Sequence, residues 1–141
     1  MKKTMIGVVV VTHGRLAEEL ISAVQFVLSV KPLVKMEAVC LDPSREFETF
    51  KQEIKNSIKK VDEGDGVLLV TDMFGGTPSN VSLTFLEAKN VEVISGVNLP
   101  MLLKLATLPP NVTLEEAVKI AESAGRDNII VASKLLQKRS Q

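Results

Sequence analysis

Apolar residues run almost unbroken through positions 5–11, from Met5 and Ile6 to four consecutive valines. A run this rich in Val and without alternation predicts a strand buried on both faces. Leu16, Leu20, Ala23, Val24 and Val27 then recur at helical spacing, and Lys31-Pro32 ends that helix. Residues 36–41 predict a second short strand. Asp42-Pro43-Ser44 resembles a helix start, an oxygen-bearing cap beside Pro. Phe47, Phe50, Ile54, Ile58 and Val61 fall at steps of three and four with Lys and Glu between them, the pattern of an amphipathic helix. After a turn at Glu63-Gly64-Asp65-Gly66, residues 67–71 predict a third buried strand and residues 72–78 a Gly-rich loop. Val81, Leu83, Phe85 and Leu86 mark a third helix, ending near Lys89-Asn90. Residues 91–95 predict a fourth strand, 96–100 a loop, and 101–108 a short helix stopped by Pro109-Pro110. Thr113 with Glu116 forms a capping box that opens another helix, which Gly125 is expected to end. Residues 129–132 predict a last short strand.

Strands alternating with helices give an α/β fold with a parallel sheet and right-handed crossovers. With the first strand central, the doubly wound order is 2-1-3-4. The chain then reverses direction between strands one and three, and ligands bind outside the carboxyl ends there. The 141 residues suit a single domain, 1–141, with one sizeable core.

Composition narrows the function classes. With 17 basic and 17 acidic residues, formal charge is zero, so the basic footprint of a nucleic-acid binder is missing. Trp and Tyr are absent, which removes stacking platforms built on those rings. The run at 5–11 is too short to cross a bilayer. It follows Lys2 and Lys3, but Thr12-His13-Gly14-Arg15 comes next instead of a small-residue cleavage site, which argues against a signal peptide. Cys40 is the only cysteine, so no internal disulfide forms, and a cytoplasmic, reducing location fits.

The topology places the chemistry. Thr12-His13-Gly14 ends strand one, and Asp72 ends strand three, its neighbour at the switch point. The protein's only histidine and a strand-end acid should therefore face each other. A carboxylate accepting from Nδ1–H fixes the tautomer and leaves the Nε2 lone pair outward. An imidazole so held is a nucleophile toward phosphorus, and the carboxylate favours the cationic ring that forms. A histidine at a strand end often serves a structural hydrogen bond only. Here the following Gly and the opposing acid loop favour chemistry. An acid after a strand often just caps the next loop, but Thr77, with Pro78 behind it, is the better cap for the next helix and frees Asp72. Gly75-Gly76-Thr77-Pro78 precedes that helix, where free amides attract an anion and the Thr77 hydroxyl can donate to it. Gly14 opens the first helix on the same rim and offers a second amide. No Lys follows the Gly loop, so it is not a Walker P-loop, and no G-x-G-x-x-G occurs. Arg15 meets either phosphate, an acidic partner or solvent, and Asn98 either lines the site or serves a turn. Cys40 reads as a buried structural residue. One His without an acid cluster gives too few ligands for a metal, and no cofactor is implied.

Thr12-His13-Gly14 and Asp72-Met73-Phe74-Gly75-Gly76-Thr77-Pro78-Ser79-Asn80 closely resemble the IIA component of the mannose family of the bacterial phosphoenolpyruvate-dependent sugar phosphotransferase system. Gly96-Val97-Asn98-Leu99-Pro100-Met101-Leu102 is similar to that family's third signature, and Gly125-Arg126-Asp127 to its C-terminal part. The resemblance runs over nearly the whole chain. It implies that His13 is phosphorylated, that Asp72 is its hydrogen-bonded partner, and that Thr77 donates to the phosphoryl group where the family often has Ser. It implies HPr as donor, a IIB domain as acceptor, and membrane contact only through IIC and IID components. It also implies a homodimer in which a C-terminal strand, here residues 129–132, joins the partner's sheet antiparallel. Asn128 stands where many members have Gly, a minor departure because Asn tolerates a left-handed backbone. With no IIB domain following within the chain, the acceptor is expected to be a separate protein.

Two other readings use the same residues. A regulatory module would have its phosphorylation state read by a partner, without dedicated sugar transport. A small hydrolase would use His13 and Asp72 as base and orienter, but only Thr12 and Thr77 offer themselves as nucleophiles.

Overall fold

The computed structural model describes residues 3–139. Its elements run β1 (Gly7–His13), α1 (Leu16–Leu28), β2 (Met36–Leu41), α2 (Phe47–Val61), β3 (Val67–Thr71), α3 (Thr77–Leu83), β4 (Val91–Ser95), α4 (Leu99–Ala106), α5 (Leu114–Asp127) and α6 (Ala132–Arg139). The sheet has 4 strands in the order β2-β1-β3-β4, every pair parallel.

The unbroken valines of β1 follow from its central place. Val8 and Val10 lie in a core layer with Leu68, Val70, Ala17, Val24, Leu102, Leu105 and Ala121 from α1, α4 and α5. Val9 and Val11 lie in the opposite layer with Leu69, Phe50, Ile54, Val61 and Val81 from α2 and α3. All four valines are 0% exposed, so neither face tolerates a polar position until the strand ends. At that end Val11 pairs with both Val39 and Thr71. The outgoing connections leave β1 and β3 toward opposite edges there, so the two carboxyl ends flank an open crevice.

Several local features differ from the sequence reading. α3 ends at Leu83, short of Phe85 and Leu86, and α4 runs Leu99–Ala106, starting inside the expected loop. The helix after β2 starts at Phe47, with Glu46 as its cap position, not at Asp42–Ser44. Asp42 Oδ1 accepts from the Ser44 N–H (2.9 Å) and hydroxyl (2.8 Å), while the Arg45 N–H donates to the Asp42 carbonyl (2.9 Å). That local pairing makes a turn instead of a helix start. Gly125 does not end α5, which continues to Asp127. A Cβ at Gly125 would stand 2.9 Å from the Met101 methyl, so the glycine lets α5 lie close on α4. Thr77 does not cap α3. It is the first helical residue, behind Gly76, and its side chain makes no cap bond.

Residues 129–132 form no strand within the chain. Ile129, Ile130 and Val131 are 77%, 58% and 53% exposed, and Ala132 already opens α6. A strand needs a neighbouring edge to complete its hydrogen bonds. Here the carbonyl of Val131 instead accepts from the amides of Lys134 and Leu135, which starts a helix.

Candidate functional site

His13 and Asp72 meet as the topology requires. Asp72 Oδ2 lies 2.7 Å from His13 Nδ1 and also accepts the main-chain N–H of His13 at 2.9 Å. Asp72 Oδ1 accepts the Met73 N–H at 3.0 Å. The Asp72 side chain is 13% exposed and that of His13 48%. Burial pushes the Asp72 carboxyl up, but it is outweighed by the bond from the His13 amide, the bond and charge of the ring, and the bond from the Met73 amide. The carboxyl therefore sits below its ordinary value of 3.8. An ionised carboxylate can only accept, so Nδ1 carries the hydrogen and donates it. Nε2 is left as the basic, nucleophilic nitrogen of a half-exposed ring.

Gly76 borders that nitrogen. A Cβ there would stand 2.8 Å from His13 Cε1 and 3.3 Å from Nε2, so only glycine lets the loop approach the ring this closely. Gly75 turns the loop at φ +93°, where other residues are strained. Among the described residues the amides of Gly75, Gly76 and Thr77 have no hydrogen-bond partner, and neither does the exposed Thr77 hydroxyl. Four open donors thus lie on the loop whose Gly76 borders Nε2.

Other residues singled out in the sequence have different duties. Gly14 makes the left-handed turn after β1 (φ +54°), but its N–H donates to the Leu41 carbonyl at 2.8 Å. The amide expected to face an anion is therefore occupied in binding β2. Asn98 is equally engaged: Oδ1 accepts from the Met101 N–H (3.0 Å) as the cap of α4, and Nδ2 donates to the Gly125 carbonyl (2.9 Å). Arg15 is solvated and ion-paired to Glu18 at 3.6 Å and Glu19 at 3.4 Å. Cys40 is only half-buried on the edge strand β2. Thr12 is 0% exposed, and its hydroxyl oxygen accepts from the Ala17 N–H at 2.8 Å, which removes it as a nucleophile.

Sequence reasoning missed the two bonds that backbone amides give Asp72 and the close approach of Gly76. The amide bonds have no signature in residue type, and Gly76 signals a close approach without naming what approaches. The Thr12 bond was also hidden, because a cap ordinarily sits two or three residues before the amide it accepts, not five. Among the described residues no group of three or more His, Cys, Asp or Glu side chains converges, and no helix is long and apolar enough to cross a membrane.

A family model described as EIIA-man, "PTS system fructose IIA component", matches residues 7–122. The mannose-specific EIIAB component of Escherichia coli K12 is 31% identical over 126 residues; the match spans 88% of this chain and 38% of that protein. The fructose-specific EIIA component of Bacillus subtilis 168 is 29% identical over 93 residues, spanning 65% of this chain and 64% of that one. Among solved structures, a PTS IIA protein associated with the fucose utilization operon of Streptococcus pneumoniae superposes with a TM-score of 0.77 at 23% identity, over 96% of this chain and 99% of its own.

Proposed function

The chain belongs to the mannose-type IIA family of the sugar phosphotransferase system, and from that premise we propose that His13 Nε2 takes a phosphoryl group from phosphorylated HPr and hands it to a IIB partner. Nε2 attacks phosphorus in line. The new Nε2–P bond forms as the donor's N–P bond breaks, and the donor imidazole leaves with the electron pair. The His13 ring gains positive charge while Nδ1 keeps its hydrogen, and the Asp72 carboxylate balances that charge through the bond it already holds. The amides of Gly75, Gly76 and Thr77, with the Thr77 hydroxyl, receive the phosphoryl oxygens. Transfer to IIB is the same displacement with His13 as leaving group.

The observation that carries this reading is the 2.7 Å Nδ1–Asp72 pairing, which leaves Nε2 unpartnered against Gly76, on a loop whose amides are unpartnered. Leu16, Met73 and Phe74, 45%, 54% and 74% exposed near the same rim, supply an apolar surface for a protein partner to cover. Incubation with phosphoenolpyruvate, enzyme I and HPr should add one phosphoryl group by intact mass, acid-labile and base-stable. His13→Ala should stay folded and gain none. Phosphate on His13→Ala would overturn the assignment.

The family also suggests a homodimer in which the exposed segment 129–131 pairs with a second copy. A chain cut after Asn128 should then sediment as monomer where the full chain sediments as dimer, and equal behaviour would remove the segment from the interface.

A further inference from the structure

On that reading the ring must be held where Nε2 meets the incoming phosphorus, and we propose that Thr12 is the positioning residue that fixes the end of β1 for this purpose. Residues of β1 alternate faces. Val8 and Val10 pack in the layer with α1, and Val9 and Val11 in the layer with α2 and α3. Thr12 follows the first pair and is 0% exposed, whereas His13 follows the second and emerges on the crevice. The Thr12 hydroxyl accepts the Ala17 N–H at 2.8 Å, inside the layer that Ala17 and Val24 share with Val10.

This bond does the work of a helix cap from an unusual place. Arg15 occupies the cap position of α1, yet its side chain makes no cap bond and points to solvent, 79% exposed. Between Thr12 and Ala17 the chain turns through Gly14 in a left-handed conformation, and the Gly14 N–H is tied to β2. Thr12 therefore joins the strand end to the helix start across a turn whose other side-chain ties to α1 are the exposed Arg15 pairs with Glu18 and Glu19.

The consequence reaches the ring through one peptide group. The plane between Thr12 and His13 carries the His13 N–H, which donates to Asp72 Oδ2 at 2.9 Å, the same oxygen that accepts from Nδ1 at 2.7 Å. Two donors of one residue share one acceptor atom, so a rotation of that plane cannot keep both bonds. Remove the hydroxyl, and the Ala17 N–H loses its partner in an apolar layer. The first turn of α1 must then open or admit water, and the 12–13 plane is released with it.

The test compares Thr12→Val, which keeps the shape without the hydroxyl, with Thr12→Ser, which keeps the hydroxyl. Nitrogen-15 NMR of the imidazole reads the tautomer without any phosphoryl donor. Rapid-quench transfer from phosphorylated HPr reads the maximal rate and the half-saturating donor concentration separately. Thr12→Val should mix the two neutral tautomers and lower the maximal rate by about tenfold or more with little change in half-saturation, and Thr12→Ser should restore both. A valine variant with the wild-type tautomer and rate overturns the proposal, however far its melting temperature falls. If the valine variant does not fold, Thr12→Ser decides alone, since a mixed tautomer or slowed transfer there overturns the hydroxyl's role. A wild type that never accepts phosphate would sink the functional reading and still leave the tautomer comparison to judge Thr12.

Discussion

Replacing Asp72 with Asn tests how much of the transfer chemistry rests on a charge. The amide oxygen can still accept from the ring and the His13 N–H, so the shape of the site survives. What is lost is the negative charge that faces the ring as it becomes cationic. Two unit charges about 4 Å apart interact by about 4 kcal/mol at the effective dielectric of a protein surface, an upper bound here. The ring is 48% exposed, so water screens part of it. A hydrogen bond to a charged group is worth about 1.5–3 kcal/mol against about 1 for a neutral one, a difference of about 0.5–2 kcal/mol. At about 1.4 kcal/mol per decade, single-turnover transfer from phosphorylated HPr should slow roughly two- to thirtyfold. Stability should respond to pH with a definite sign. The Asp72 carboxyl titrates below 3.8 when folded, so its contribution is fully present above that value and lost as pH falls through the lower folded value. The stability advantage of wild type over Asp72→Asn should therefore shrink only below about pH 4. An unchanged transfer rate in a folded Asp72→Asn protein would refute the electrostatic role, and an advantage that vanished near neutrality would refute the ionisation argument.

Gly76→Ala should displace the ring, since the new Cβ would stand 2.8 Å from Cε1. Phosphoryl uptake should fall by about tenfold or more with little loss in melting temperature, and uptake at the wild-type rate would show that the loop yields easily. Thr77→Ala should slow uptake by roughly tenfold, about one hydrogen bond to a charged oxygen, whereas Thr77→Ser should match wild type in the same quench assay. Equal slowing in both would assign the effect to the methyl group and not to the hydroxyl.

Much of this was legible in the chain because hydrophobic burial is a pattern before it is a contact. Four consecutive valines can be satisfied only by a strand covered on both faces, and a strand covered on both faces in an α/β chain is central. From that placement the order β2-β1-β3-β4 and the meeting of His13 with Asp72 both follow. Hydrogen bonds that a residue chooses among several partners were not legible. Asp42 took Ser44 and made a turn where a helix start was expected. Gly14 took Leu41, and Asn98 took Met101 and Gly125, leaving neither for the site. The segment 129–131 is unreadable for a different reason. Its β-branched residues have strand character, but the Val131 carbonyl accepts from the Lys134 and Leu135 amides and leads into α6.

Two helix starts lie near His13, and they differ in which of their donors are already bonded. Every helix begins with amides that have no partner of their own, and both α1 and α3 could turn these toward the ring. At α1 the Gly14 and Ala17 amides are taken, by the Leu41 carbonyl and the Thr12 hydroxyl. At α3 the amides of Gly75, Gly76 and Thr77 remain open. The two threonines on these paths have the same chemistry and opposite fates. Thr12 lies on a strand whose face at that step is buried, so its oxygen must find an internal donor. Thr77 is exposed at the first position of α3, and its hydroxyl has no partner among the described residues. On the proposed reading, the Thr12–Ala17 bond at the start of α1 would steady the nucleophile, and the open amides before α3 would receive the phosphoryl group. Exchanging the two threonines' surroundings would, on that reading, loosen the ring and engage the hydroxyl meant for phosphate, so the proposed roles depend on which donors are already bonded as well as on which residues are present.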